Sequence, residues 1–342
     1  MNKNIKPVQV YRGEFLESTH DVHIAIVNNS GELLYSYGNP LRNTFPRSAL
    51  KPFQAIPLFE RGVVDKYNFN KADVSICCAS HNGEDRHRKQ VMNILSKINL
   101  DESHLKCGSH PPKSEEMYRN LIQNNEKITQ VFNNCSGKHA GMLGGCLTSN
   151  EDIESYYELS HPLQKEIVNI LFNVCDIKNN SIETGVDGCG LPAHQFPLDK
   201  LAQGFSNLAS PNFMSDDTYS NSLKKIRDSM MTHPEMVGGY NSFDTDIMNS
   251  FPGSIVSKAG AEGVQGIGLI DSGIGIAIKV EDGNKRGASI VAMEVLKELN
   301  IINNQCYEQM YDYCRPDIFS ISGLKVGKII TDFKLKNNKH TL

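Results

Sequence analysis

Hydrophobic and polar positions follow the two-residue period of a β-strand in three short segments near the start of the chain. These segments are Val8 to Tyr11, His23 to Val27 and Leu33 to Tyr37. The run Asn28-Asn29-Ser30-Gly31 between the second and the third is a turn signal. We therefore predict an N-terminal antiparallel hairpin.

The pattern becomes helical after Ser48, and helices dominate from roughly residue 84 to 231. The predicted helices there are Glu84 to Ile98, Glu115 to Gln123, His161 to Val174, Leu198 to Ala209 and Asp217 to Met231. The predicted elements that follow are strands at Ser254 to Ser257, Val264 to Ile270 and Gly273 to Val280 and an amphipathic helix at Gly287 to Leu299.

A helical block between two sets of strands predicts an α+β fold in which N- and C-terminal strands share one antiparallel sheet. We expect a single domain over residues 1–342. Its sheet part covers about 1–75 and 250–342, and its helical part about 76–249. The tail after about Ser320 is basic, and we expect it to be peripheral.

Composition excludes several classes of protein. With 39% hydrophobic and 22% charged residues, the 342-residue chain can bury a core. The net charge of −4 argues against a nucleic-acid binder, and no stretch of about 20 apolar residues suits a membrane span. The first residues lack the apolar segment of a secretory signal. Nine irregularly spaced cysteines imply no disulfide framework, so we expect a cytoplasmic protein.

Three short motifs suggest nucleophilic catalysis. Ser48 and Lys51 are three residues apart at a predicted helix start, where the helix dipole and burial favour a neutral lysine that can deprotonate the serine. The second motif, Cys78 to Glu84 (CASHNGE), places Ser80 at the end of a buried segment, where catalytic side chains often project. A helix N-cap is the alternative interpretation of this second motif.

The third motif, Lys258 to Gly263 (KAGAEG), combines a lysine with small residues at the edge of a strand. In order, the motifs read Ser-x-x-Lys, Ser-x-Asn and Lys-x-Gly, which is the element set of penicillin-binding proteins and serine β-lactamases. Ala259 replaces the usual hydroxyl residue of the third motif. The serines of the first two motifs, Ser48 and Ser80, are only 32 residues apart. These departures weaken a β-lactam function but leave acyl transfer as the predicted chemistry.

A cysteine-containing constellation suggests a metal site. Cys135 and His139 are four residues apart, so one helical turn can present both, and Cys189 in a glycine-rich loop is a possible third ligand. Such ligands suit zinc. The alternative is a tightly packed helix whose thiols are inert.

Five segments together resemble the asparaginase II family of the Rhizobium type. They are RSALKPFQ (Arg47 to Gln54), CASHNGE, NNCSGKHAGML (Asn133 to Leu143), GVDGCGLP (Gly185 to Pro192) and KAGAEG. The resemblance covers about Tyr11 to Leu299. It implies a serine-β-lactamase-like fold, a homodimer, and hydrolysis of L-asparagine to L-aspartate and ammonia.

The resemblance also implies site residues. Two serine–lysine tandems, Ser48 with Lys51 and Ser80 with Lys258, are expected to be catalytic. The implied zinc ligands are Cys135, Lys138 and Cys189, with Lys138 in place of the spacing-based His139, and a zinc-bound amine must be neutral. The substrate-binding candidates are Arg47 for the α-carboxylate, Asp187 for the α-ammonium, and Asn82 and His139 in the pocket.

We favour Ser48 as the nucleophile of an acyl-enzyme mechanism, because its lysine is local, and we expect zinc to position the substrate. Two other functions remain open. One is a penicilloyl-type serine hydrolase acting on another amide, and the other is a non-catalytic, zinc-stabilised binding protein.

Overall fold

A six-stranded antiparallel sheet is built from both ends of the chain. The computed structural model describes residues 6–113, 115–178, 182–214 and 217–338. The strands are β1 (Val8–Arg12), β2 (Phe15–His20), β3 (Val22–Val27), β4 (Leu33–Tyr37), β5 (Asn43–Thr44), β6 (Glu183–Val186), β7 (Pro192–Pro197), β8 (Ile255–Gly260), β9 (Val264–Leu269), β10 (Ile274–Val280), β11 (Asp317–Phe319), β12 (Lys325–Thr331) and β13 (Lys336–Asn337). The strand order of the six-stranded sheet is β13-β4-β3-β10-β9-β8, and β3 joins β10 through pairs such as Ile24 with Ile278.

The predicted sheet shared by the two ends of the chain is confirmed, and so is the N-terminal hairpin of β3 and β4. Strand β2 was not predicted, because Phe15, Leu16 and Glu17 are all exposed and no alternation marks them. The tail is not peripheral. Strand β12 pairs with β1 in a four-stranded sheet of order β11-β12-β1-β2, and β13 closes the edge of the larger sheet on β4.

Helices fill the middle of the chain and flank the sheet. They are α1 (Lys51–Gln54), α2 (Pro57–Glu60), α3 (Val63–Lys66), α4 (Lys71–Cys77), α5 (Asp85–Lys97), α6 (Glu115–Gln123), α7 (Ser136–Thr148), α8 (Pro162–Val174), α9 (Leu198–Ala209), α10 (Ser220–Thr232), α11 (Pro234–Val237), α12 (Phe243–Ser250), α13 (Lys285–Glu298), α14 (Asn304–Gln309) and α15 (Tyr311–Cys314). In the described part of the chain, none of them combines the length and hydropathy needed to cross a bilayer.

The predicted helices are all present, with ends that differ by three residues at most. The helical block is interrupted, however, by the hairpin of β6 and β7, which forms a small sheet with β5. Helix α9 packs on β3, β9 and β10, while α13 packs on β9 and β10. Because β8 is the neighbour of β9 in the sheet, β8 and α13 both lie against β9.

Candidate active site

A cavity of about 320 Å³ lies where the segment before α1, the loop after α4, strand β8 and the start of α13 meet. Both predicted serines open onto it. Its lining residues are Ser48, Ser80, Lys113, Asn134, Asn241, Phe243, Ala259, Gly260, Ala261, Gly263, Val264, Gln265, Lys285, Ala288 and Ser289.

Ser48 and Lys51 belong to consecutive elements. Ser48 lies in a 3₁₀-helix over Arg47–Leu50, and Lys51 begins α1 with Pro52 in the first turn, as predicted. Arg47 has φ of 54°, in the left-handed region that non-glycine residues avoid, and such strain is concentrated at functional sites. Among the described residues Lys51 makes no hydrogen bond to Ser48, so the expected local pair is not formed.

Lys51 contacts Ser80 instead. Its Nζ lies 3.1 Å from the Ser80 Oγ, and the Nζ of Lys258 lies 3.1 Å from the same oxygen. The two tandems implied by the resemblance therefore converge on one hydroxyl. Both lysines are fully buried, whereas Ser80 is half-buried and reaches the cavity.

The partners of the two amines differ in a way that suits different protonation states. Lys51 Nζ faces two carbonyl oxygens, of Ala79 and Asn134, so a neutral amine can donate both hydrogens and present its lone pair to Ser80. Lys258 Nζ faces the Asp244 carboxylate, the Ala259 carbonyl and the Ser80 hydroxyl. The Asp244 carboxylate favours an ammonium at Lys258, and Lys51 has no such partner among the described residues. Ser80 Oγ is within hydrogen-bond distance of both amines, and it can donate to Lys51 only when that amine is neutral.

Burial favours deprotonation of both lysines. Desolvation lowers the pKa of Lys51 to about 8, and the ammonium groups of Lys138 and Lys258 act in the same direction. Desolvation also lowers the pKa of Lys258, but the carboxylate of Asp244 opposes that shift. Lys51 is therefore the natural base of the pair.

Asp244 is a site residue that the sequence did not reveal. Its carboxylate accepts hydrogen bonds from Ser257 Oγ at 2.8 Å, Ala259 N at 2.8 Å and Gln265 Nε2 at 3.0 Å, besides its contact with Lys258. The segment Ser242-Phe-Asp-Thr-Asp resembles any acidic helix start, so no local signal separates Asp244 from its neighbours. Only the fold of α12 against β8 brings it to Lys258.

The small residues after Lys258 allow β8 to lie close to the backbone of another segment of the same chain. A Cβ on Gly260 would lie 2.1 Å from the carbonyl oxygen of Pro46. Any side chain there would push β8 away from the segment that carries Ser48. Gly260 therefore keeps the two motifs together.

Arg47 and Asp187 form an ion pair with each other and do not face the cavity. The guanidinium donates from Nη2 to Asp187 Oδ1 at 2.8 Å and from Nε at 3.2 Å. The hydrogen bond from Arg47, acting against desolvation, lowers the pKa of the Asp187 carboxyl. Neither residue lines the cavity, so their charges are satisfied by one another in this structure.

Asn82 and His139 are also placed outside the cavity lining. Asn82 Nδ2 donates to the Tyr240 carbonyl at 2.8 Å, which ties the second motif to the loop before α12. His139 is fully buried, and its Nδ1 lies 2.6 Å from the hydroxyl of Tyr156. Both side chains support elements of the site in this structure and do not reach the cavity.

Cys135, Lys138 and Cys189 form one buried cluster. Lys138 Nζ lies 3.3 Å from Cys189 Sγ, and the thiol of Cys135 donates to Asn134 Oδ1 at 3.2 Å. The interaction of Cys189 with the side chain of Cys135, with help from the Lys138 ammonium and against desolvation, lowers the pKa of Cys189 to about 5. The same interaction and desolvation raise the pKa of Cys135 to about 12. In the absence of a metal, the cluster therefore holds a thiolate, a thiol and an ammonium.

The geometry of this cluster fits zinc. Tetrahedral coordination with the usual Zn–S and Zn–N bond lengths separates an S and an N ligand by about 3.6 Å, close to the observed contact. Two sulfurs and one nitrogen also leave a fourth position open. The spacing-based ligand His139 stays a prediction: its Nδ1 contacts the Tyr156 hydroxyl, and its buried Nε2 has no hydrogen-bond partner among the described residues.

A second group of metal-type ligands lies elsewhere. Cys146, Glu151 and His161 are the one set of three His, Cys or carboxylate ligands close together within the described ranges. Both ring nitrogens of His161 are already used, by Leu163 N and the Asp152 carbonyl, and Glu151 pairs with Arg61. This group is accounted for by structural contacts.

Comparison with known families gives one decisive match. The sequence profile of the L-asparaginase II family matches residues 8–331, which is nearly the whole chain. The chain belongs to the L-asparaginase II family. Membership implies a hydrolase that acts on amides, and the matched region includes every site residue described above. No curated protein sequence matches the chain significantly.

Solved structures also show similarity to this L-asparaginase II family member. A β-lactamase from Mycobacterium bovis aligns with a TM-score of 0.41 at 14% identity, over 81% of this chain and 94% of that one. A candidate β-lactamase from Bacteroides dorei aligns with a TM-score of 0.41 at 10% identity, over 81% of this chain and 93% of that one.

Proposed function

We propose that the protein is an L-asparaginase that hydrolyses the side-chain amide of L-asparagine through a serine acyl-enzyme. The observation that carries this proposal is the Ser80 hydroxyl held 3.1 Å from both Lys51 and Lys258 at the wall of the cavity. Family membership supports the amide substrate class. The lysine pair supports covalent rather than direct hydrolysis.

In the first step Ser80 Oγ attacks the amide carbonyl and gives its proton to neutral Lys51. Ser80, and not the Ser48 that the sequence motif favours, is assigned as the nucleophile, because Ser48 has no lysine partner among the described hydrogen bonds. Ser48 faces the same cavity and is assigned to holding the amide. Collapse of the tetrahedral adduct breaks the C–N bond, and the leaving nitrogen takes the proton that Lys51 received from Ser80 and departs as ammonia.

In the second step a water molecule attacks the aspartyl ester. Its proton passes to Lys51, and Ser80 Oγ recovers a proton as L-aspartate leaves. Lys258 stays charged beside Asp244 throughout and keeps the serine oxygen oriented. The sum is one amide and one water converted to one carboxylic acid and one ammonia.

We propose that Cys135, Lys138 and Cys189 hold zinc. The metal, when bound, would supply a Lewis-acidic centre beside Asn134, which lines the cavity, whereas the three ligands themselves do not line it. The residues themselves are tied to the catalytic pair, since Lys51 donates to the carbonyl of Asn134, next to Cys135. Loss of the cluster is therefore expected to disturb the position of Lys51.

The test is release of ammonia from L-asparagine, with L-glutamine and a labelled β-lactam as alternative substrates. We expect turnover of asparagine, and a loss of several orders of magnitude in Ser80→Ala. Ser96→Ala, an exposed serine on α5, is the matched control. Acylation by the β-lactam without amide hydrolysis would point to the penicilloyl-type function instead, and no turnover of any substrate would favour a binding protein.

We further propose a cytoplasmic homodimer. None of the nine cysteines forms a disulfide, which suits a reducing compartment. The dimer rests on the family resemblance alone. Light scattering of the purified protein tests it, and a monomer at micromolar concentration would contradict it.

A further inference from the structure

The charged residues that line the catalytic cavity are all cationic. Among its described lining residues, Lys113 and Lys285 carry charge, and the lining includes no Asp or Glu. Neither lysine has an ion-pair partner within the described ranges. A cavity with two cations and no counter-ion favours an anionic ligand.

Lys113 is anchored to the motif that carries Ser80. Its backbone N donates to the carbonyl of Asn82 at 3.3 Å. Lys113 is an exposed residue whose side chain lines the cavity. Desolvation and then the nearby Lys285 ammonium lower the pKa of Lys113 to about 8. The two ammonium groups therefore repel each other, and an anion between them would relieve that repulsion.

Lys285 is positioned by the start of a long helix. It is the first residue of α13, whose first turn contains no acidic residue and whose N-cap Asn284 side chain accepts from Arg286 N at 3.2 Å. Ser289, one turn further along α13, lines the same cavity. The positive end of the helix thus adds to the lysine charge on this wall.

We propose that Lys113 and Lys285 bind a carboxylate of the substrate, opposite the reacting amide. The inference rests on the proposed function and identifies the substrate class as small amides that also bear a free carboxylate. It replaces Arg47 in that role, because the Arg47 guanidinium is paired with Asp187. The lining offers no carboxylate for an α-ammonium, so succinamate, which lacks that group, is expected to be accepted as well.

The experiment compares three C4 compounds that differ in their carboxylates. Calorimetry measures binding of succinate, succinamate and the neutral diamide succinamide to the intact protein, to Lys113→Gln and to Lys285→Gln. We expect each variant to bind succinate at least tenfold more weakly and succinamide unchanged. In kinetics the same variants should raise the KM for succinamate and L-asparagine while kcat changes less.

Lys89→Gln is the matched control, since Lys89 is an exposed lysine on α5 outside the cavity. Both cavity lysines are themselves exposed residues, so melting temperatures equal to wild type will verify folding. The proposal is overturned if wild type binds succinamide as tightly as succinate, if it does not bind succinate, or if both lysine variants bind succinate like wild type.

Failure of this inference is distinguishable from failure of the proposed function. Lysine-dependent succinate binding without any amide hydrolysis would sustain the carboxylate site and refute the asparaginase. Full hydrolysis of asparagine, with neither lysine variant changing substrate or succinate binding, would sustain the asparaginase and refute the carboxylate site.

Discussion

The Nζ of Lys258 lies 3.4 Å from the Oδ2 of Asp244, and both side chains are almost completely buried. Lys51, on the other side of Ser80, has no carboxylate partner among the described ion pairs. A buried ammonium is costly without a counter-ion, so Lys51 loses its proton more readily than Lys258 although both touch the same hydroxyl. This asymmetry makes one lysine a base and the other an orienting cation.

Replacement of Asp244 tests that asymmetry. Asp244→Asn leaves Lys258 without a counter-ion, which lowers the pKa of Lys258. Since Lys258 must be charged to orient Ser80, activity is lost as Lys258 deprotonates at high pH. In the variant this loss should begin at lower pH. We expect kcat to fall at least tenfold and the free energy of unfolding to fall by about 3 to 5 kcal/mol. The measurements are a pH–rate profile and chemical denaturation. Asp246→Asn, on the same helix, is the control, and an unmoved pH profile in Asp244→Asn would contradict the assignment.

The pH dependence of kcat/KM tests Lys51 as the base. The neutral amine is the active form, and it predominates above the pKa of about 8 that burial gives Lys51. Activity should therefore rise with pH and reach half its plateau near pH 8. Lys51→Met should lose several orders of magnitude with folding retained. A flat profile between pH 6 and 9 would exclude this role.

Much of the site was predictable from the sequence because short motifs fix local structure. The serines, the lysines and the cysteine cluster all occur within five strings, and Cys135 and Lys138 lie within one helical turn. The pairing of these groups was not predictable. Lys51 lies three residues from Ser48 yet contacts Ser80, which lies 29 residues away, because α1 directs its first side chain into the core.

The other features that the sequence did not reveal also depend on long-range contacts. Asp244, Lys113 and Lys285 carry no motif, and each reaches the site only through the packing of α12, the Asn82 loop or α13. The sequence also predicts a peripheral, basic tail. Backbone pairing of β12 with β1 and of β13 with β4 instead brings it into both sheets.

Zinc binding should release a defined number of protons from the cluster. Without metal the cluster holds a Cys135 thiol and a Lys138 ammonium, while Cys189 is already a thiolate. Coordination requires all three to be deprotonated, so about two protons should be released near neutral pH. Calorimetry in buffers of different ionisation enthalpy counts them. Cys135→Ala and Cys189→Ala should lose stoichiometric zinc, unlike Cys306→Ala and Cys314→Ala, and zinc uptake without proton release would contradict the ligand set.

Three buried histidines should make the fold sensitive to acid. Desolvation lowers the pKa of His81 well below its usual value, that of His139 to about 3 and that of His194 to about 4. The folded protein keeps them neutral, whereas the unfolded chain protonates them below about pH 6.5, so stability is lost as pH falls.

Together they contribute a slope of up to about 4 kcal/mol per pH unit between pH 6 and 4. Denaturation at several pH values measures this slope, and His139→Asn should reduce it by about a third. Replacement of the half-exposed His104 serves as the control. An equal slope in His139→Asn would show that this residue does not contribute.

The most direct test of the central claim is the identity of the serine that carries the acyl group. Rapid acid quench of the protein with L-asparagine, followed by peptide mass mapping, locates an aspartyl ester. We expect it on Ser80 in wild type and in Ser48→Ala, and on no residue in Ser80→Ala. An ester on Ser48 that persists in Ser80→Ala would contradict the account and reverse the roles of the two serines.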